Sequence, residues 1–490
     1  MLTERMRDWL LVGALTVAAI LLHGYYFGME DQTLYLPAVA QDLDPTLFPH
    51  DAAFFQTETR FTLFDETVAA LIRVSRLSTE SVVFFGYIAS LLATLRACQR
   101  LARPAFGDRR AEWAGLLTLV ILLPFPVAGT RLGLIEWYLH PRAPAMACML
   151  WAAVFAMEGN AVSILLVGAA AVFHPLVALW GVAHVALQAK RIKLQYLVPT
   201  LLIAFMTGCA SSVSRLPRWE TAYWRDALTP EYFDIRYPIN WPWYEWVGAI
   251  APLAVLAAMA WDARRRGAGP LANITGRFFL SGAFGVVLAV ALTLSPSRRL
   301  PLQPMRELHM VYFVAFLFAG AALEQRLLRS LAFGRTLFFT AVTVAVLVAQ
   351  PRFPSSSRIE WPWRPPGNPW SQAFLWARAH TPVDALFALD PFYMRRTTAD
   401  THSFRAIAHR SMLAEAVHDL APAAMSPALG ARWMRESEDL ARWQRFTLGD
   451  FTRLADKYGV GWVVVSQPHL PELTCPYENH DVAVCRVGRP

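Results

Sequence analysis

Glu30 and Asp31 stand side by side where the first apolar segment ends, in Gly28-Met29-Glu30-Asp31-Gln32-Thr33-Leu34-Tyr35-Leu36-Pro37. Ionisable groups at a membrane boundary are costly unless solvated or paired, so they are functional candidates. The plainer reading is that they end a helix in water. A long segment rich in aromatics follows and carries Asp42, Asp44, Asp51 and Glu58. A further acid, Glu136, precedes His140-Pro141-Arg142. Cations gather again as Arg298, Arg299 and Arg306, with His309 beyond them. A carboxylate can deprotonate a hydroxyl or amine. Arginines can stabilise charge on a leaving phosphate, and aromatic faces can stack on sugars. This residue set suits transfer from a phosphate-activated lipid.

The elements that must position these groups are hydrophobic helices. The chain has 490 residues, of which 55% are hydrophobic and 17% charged. Soluble domains carry roughly 25% charged residues. Apolar runs cover residues 9–27, 79–95, 113–128, 143–157, 160–173, 175–187, 194–211, 243–261, 278–294, 309–323 and 337–350. This is the pattern of a polytopic membrane protein. The first run is long, and acidic, bulky sequence follows it, so it reads as a span and not as a cleaved signal peptide.

Basic residues orient the spans. Arg96, Arg100, Arg103, Arg109 and Arg110 follow the second run, and Lys190, Arg191 and Lys193 the sixth. Arg264, Arg265, Arg266 and Arg277 follow the eighth, and Arg326, Arg329 and Arg335 the tenth. The positive-inside rule makes these loops cytoplasmic, with the N-terminus inside and Glu30-Asp31 outside. Residues 160–187 read either as one helix kinked at His174-Pro175 or as two helices with an outer turn there. Two helices keep all four basic loops inside, giving about eleven spans. The outer loops are then 28–78, 129–142, 212–242 and 295–308. Residues 63–77 resemble a helix lying along the interface. The arginines of 295–308 break the charge rule. They call either for an anionic ligand such as a lipid phosphate or for neutralisation by outer carboxylates. The expectation is that Asp31, Glu136 and Arg306 converge on one outer cavity, with Asp51 or Glu30 as the next candidate base.

Residues 1–350 thus form the transmembrane domain, and 351–490 a small α/β domain expected on the periplasmic side. Within the tail, 352–368 reads as a linker, 369–379 and 450–458 as helices, and 385–389, 461–466 and 481–487 as strands. Cys475 and Cys485 suit a hairpin disulfide, whereas Cys98, Cys148 and Cys209 read as packing residues. There is no Walker motif, dinucleotide fingerprint, zinc spacing or nucleophile elbow. The net charge of +8 comes from arginine clusters without interleaved aromatics, so nucleic acid is not an expected partner.

On these residues the chain resembles the GT-C superfamily of integral membrane glycosyltransferases. The likeness lies in Glu30-Asp31 after the first helix, the long first outer loop with its interfacial helix, Glu136, His140-Pro141-Arg142 and the outer tail. It extends to Ala379-His380-Thr381-Pro382-Val383-Asp384-Ala385 and to Leu454-Ala455-Asp456-Lys457-Tyr458-Gly459-Val460-Gly461-Trp462-Val463-Val464-Val465. The resemblance implies an all-α bundle with a small α/β domain and transfer of a sugar from a polyprenyl-phosphate carrier. It assigns Asp31, with Glu30, as base or metal ligand and Glu136 as its helper. Arg298, Arg299, Arg306, His309, Arg142 and His140 would hold the lipid phosphate. Glu30-Asp31 is not an Asp-x-Asp, so a divalent cation is left open. A non-catalytic scaffold of the same fold and a secondary transporter are the competing readings.

Overall fold

The computed structural model describes residues 4–190, 238–294, 303–350, 353–395 and 402–487. Arg298, Arg299, Cys209, the run 194–211 and most of 212–242 lie outside them. The chain divides into two compact units. One contains Met1–Gly24, Gly86–Arg215 and Thr229–Pro351, and the other is built chiefly from Tyr25–Phe85 and Arg352–Pro490.

Five helices among the described residues are long and apolar enough to cross a membrane: Glu4–His23, Thr79–Phe106, Trp243–Arg265, Gly269–Ala291 and Pro304–Leu328. The expected count of about eleven is not reached among these residues. Shorter apolar helices cover Val162–Phe173, Pro175–Gln188 and Phe333–Ala349. Residues 160–187 form two helices because proline pushes the residue before it out of the helical region. His174 is extended, at φ −153° and ψ 94°, and its ring Nδ1 accepts from the Val177 N–H.

Small residues let helices of the first unit approach closely. A Cβ at Gly115 would lie 2.3 Å from the Leu317 carbonyl oxygen, and one at Gly320 would lie 2.1 Å from Thr118 Oγ1. Helix Arg109–Ile121 therefore crosses helix Leu308–Leu323 almost backbone to backbone, as small residues permit in membranes. The arginines after the second run have a packing role besides any topological one. Arg103 Nη2 and Arg109 Nη2 donate to the buried Asp8 carboxylate at 2.6 and 2.7 Å.

The second unit contains a five-stranded sheet. Its strand order is Ser411–Met412, Leu386–Leu389, Trp462–Ser466, Val482–Arg486, Thr474–Glu478. The first three strands run parallel and the last two pairings are antiparallel. Trp462 and Val464 pack into a core with Phe374, Phe387, Tyr393 and Phe404, while Val463 and Val465 pack into another with Leu440, Trp443, Phe451 and Leu454. Alternate residues thus serve opposite faces. The anticipated helices are found at Pro369–His380 and Leu448–Tyr458, and the anticipated strand at 481–487 pairs with Trp462–Ser466. Cys475 and Cys485 are bridged. The helix expected over 63–77 is Phe64–Ser75.

Two segments differ from the sequence reading. The stretch read as a long loop holds helices Gln32–Leu43 and Ala52–Thr59. Gln32 through Ala40 are all buried, so no polar face marks the helical period. The stretch read as a linker is anchored, because Tyr25 N–H donates to the Arg358 carbonyl and Glu360 N–H to the Tyr25 carbonyl, at 3.0 and 2.9 Å.

Candidate functional site

In the first unit, predicted residues from distant parts of the chain meet at helix ends. Arg142 opens helix Arg142–Glu158, and its Nη2 donates to Glu136 Oε1 at 2.6 Å. The Arg142 backbone N–H donates to His140 Nδ1 at 3.2 Å. The rings of His140 and His174 lie 6.0 Å apart. Arg306 brings Nη1 to 3.5 Å from His174 Nε2 and donates from Nε to Gln303 Oε1 at 2.5 Å. His309 Nδ1 donates to the Arg306 carbonyl at 3.2 Å. Glu136, His140, Arg142, Arg306 and His309 are therefore one cluster, joined by His174.

Three helices begin at this cluster. They are Arg142–Glu158, Pro175–Gln188 capped by His174, and Leu308–Leu323 with the 3-10 turn Pro304–Glu307 before it. Helix N-termini carry partial positive charge and exposed N–H groups, which favour an anion. The guanidinium groups add to that field. Burial, then Arg306, His140 and Arg142, hold His174 well below the usual histidine range. The ring is therefore not a third cation: with Nδ1 accepting from the Val177 N–H, a neutral imidazole carries its proton on Nε2, the atom that faces Arg306. His174 was read from sequence as a turn residue. Its His-Pro position at a helix junction was the signal that could have marked it.

Glu30 and Asp31 belong to the second unit. Glu30 has φ +45°, uncommon for a residue with a Cβ. Flanking bonds hold the backbone there. Gly28 N–H donates to Gln32 Oε1, Ser403 N–H donates to the Gly28 carbonyl, both at 2.6 Å, and Met29 bridges to His402. The Glu30 side chain is aimed at His418, whose Nε2 lies 3.2 Å from Glu30 Oε2 and whose Nδ1 lies 3.1 Å from Glu415 Oε2. The Glu30 side chain is 46% exposed, His418 8% and Glu415 1%, so this chain of groups runs from solvent into the interior. Burial alone would lower the His418 pKa. Glu415 and Glu30 override it and hold the ring well above 6.5. The arrangement can hold a proton next to an exposed carboxylate and relay it. Sequence reasoning missed His418 and Glu415, which are more than 380 residues from Glu30 with no shared local motif.

Asp31 is half-buried at the start of helix Gln32–Leu43 and makes no side-chain capping bond there. Asp51, the fallback base, is buried. Its Oδ2 accepts from Arg405 Nε at 2.6 Å and from the Met412 N–H at 3.0 Å. Arg405 also forks onto Asp419 at 2.7 and 2.8 Å. Asp51 is thus a structural ion-pair partner and not a solvated base. Asp42, Asp65 and Glu66 each offer an oxygen within 4.8 Å of the others, a spacing compatible with a cation. Burial, then Glu66, pushes the Asp65 carboxyl up to about 8. Asp31 is not in that group.

The fold and these sites define a class: a mostly helical, multi-pass membrane protein with an attached α/β unit. No family model and no curated protein matches the chain. Among solved structures it is similar to ArnT from Cupriavidus metallidurans, crystallised bound to undecaprenyl phosphate. That similarity covers 98% of this chain and 99% of the other, at 14% identity and a TM-score of 0.48. A likeness of this degree assigns no residue a role.

Proposed function

We propose that the chain is a GT-C-type glycosyltransferase of the bacterial inner membrane. It moves a sugar from a polyprenyl-phosphate carrier to an acceptor on the periplasmic side. The observation that supports this most is the cluster of Arg142, Arg306, His140, His174 and His309 where three helices begin. Such a site is built for a phosphate. Arg142, set in place by Glu136, and Arg306 bind the donor phosphate, helped by Arg298 and Arg299. The acceptor oxygen or nitrogen attacks the anomeric carbon. The bond to phosphate oxygen breaks, and its electron pair leaves with the phosphate. Asp31, with Glu30 beside it, is the base assigned to the acceptor proton.

The test is native mass spectrometry of the purified protein with undecaprenyl phosphate, followed by a transfer assay in proteoliposomes. Arg306→Gln and Arg142→Gln are each expected to weaken lipid-phosphate binding about 10- to 150-fold, as loss of a charge-assisted bond worth roughly 1.5–3 kcal/mol implies. Asp31→Asn is expected to leave binding intact and to slow transfer by about 10²–10⁴-fold, the range for loss of a general base. Unchanged binding in both arginine variants would refute the phosphate site. Full transfer by Asp31→Asn would refute the base.

A further inference from the structure

The second unit contains a cavity of about 680 Å³ that the proposed chemistry does not use. One wall is the stretch 357–367. It is held by the backbone bonds to Tyr25 and by Glu360, whose Oε2 accepts from the Phe27 N–H at 2.9 Å. His402 Nε2 lies 3.0 Å from Glu360 Oε1. Trp361 and Trp363, two residues apart, stack at 5.2 Å between centroids and 29° between planes. Phe84 meets both edge-on, at 5.7 and 6.0 Å. Pro362, Pro365 and Pro366 fix φ along the same wall. The indole of Trp363 is therefore oriented in advance, although the residue is 62% exposed. Pre-orientation of this kind removes an ordering cost from binding.

Charge surrounds the aromatic plane. Arg364 and Arg378 line the cavity, and so does Glu80, which acts electrostatically on Arg378. An acyl chain laid on this surface would bury those charged groups without hydrogen bonds, at high cost. A sugar ring suits it better. Its C–H face can lie on the exposed indole, its hydroxyls can donate to Glu80, and an acidic substituent can take the Arg364 fork. We propose that this cavity binds a saccharide carrying an anionic group.

Phe27 lines the cavity and stands three residues before Glu30. At 3.8 Å per residue their Cα atoms are at most about 11 Å apart.

The experiment is isothermal titration calorimetry on the full chain in nanodiscs. The probes are tetragalacturonate, maltotetraose and inorganic phosphate. Tetragalacturonate is expected to bind at least tenfold more tightly than either other probe. Trp363→Ala is expected to weaken that binding at least tenfold, and Arg364→Gln to remove the preference over maltotetraose. Both positions are exposed, so neither change should unfold the chain. Equal binding of the three probes, or undiminished binding by Trp363→Ala, would overturn the proposal. Phosphate binding as tight as tetragalacturonate would also overturn it, since the site would then read charge alone. The two readings fail separately, because lipid-phosphate binding is read at Arg306 and saccharide binding at Trp363.

Discussion

Replacing Glu415 with Gln should change the charge state of a histidine that lies beside the exposed Glu30. His418 Nδ1 is 3.1 Å from Glu415 Oε2, and that oxygen also accepts the His418 backbone N–H at 2.5 Å. A hydrogen bond to a charged partner contributes about 1.5–3 kcal/mol. At 1.36 kcal/mol per pKa unit, its loss should lower the His418 pKa by roughly 1–2 units. In the wild type the folded-state pKa is raised above the unfolded value of 6.5. The stabilisation is therefore fully present below about pH 6.5 and is lost as pH rises through the folded pKa. Glu415→Gln should consequently destabilise most at mildly acidic pH, by about 1–3 kcal/mol, and converge on the wild type at alkaline pH. Thermal melts across pH 5–10 would measure this, with the His418 titration followed by ¹⁵N-histidine NMR. If the variant leaves the His418 titration unmoved, or its destabilisation grows with rising pH, the assigned coupling is wrong.

Three further outcomes follow from the geometry. Arg405→Ala would leave Asp51 and Asp419 buried without their shared cation, and should cost about 3–5 kcal/mol in a thermal or denaturant melt. Gly115→Ala would drive a methyl against the Leu317 backbone oxygen, so a loss of about 1–3 kcal/mol is expected from melts in detergent, where wild-type stability would contradict the close crossing. Cys475 and Cys485 close a loop with a sequence separation of 10, so reduction should cost roughly 2–3 kcal/mol. Thiol labelling of the unreduced protein should modify neither cysteine.

Much of the architecture was legible in the chain because its cause is local. A run of apolar residues about as long as a bilayer is thick becomes a span whatever surrounds it, as at Glu4–His23 and Trp243–Arg265. Proline at 175 breaks a helix by its own ring, so two helices were readable at 160–187. A short β-branched apolar run after Gly461 marked Trp462–Ser466 as a strand, and two nearby cysteines marked a bridge. What the sequence could not mark was fixed by contacts between distant segments. Gln32–Leu43 is buried too completely to show a helical period, and the stretch 353–368 looks unstructured until Tyr25 binds its backbone. Asp51 and Glu30 are similar acids in sequence. Arg405 makes the first an interior ion-pair partner, while the second stays half exposed and is joined by His418 to the buried Glu415. The Arg142–Arg306 cluster likewise exists only because three helix N-termini meet there. Hydropathy and backbone preference act between neighbours along the chain. The field at a site is a sum over groups near in space, and only the tertiary structure decides which groups those are.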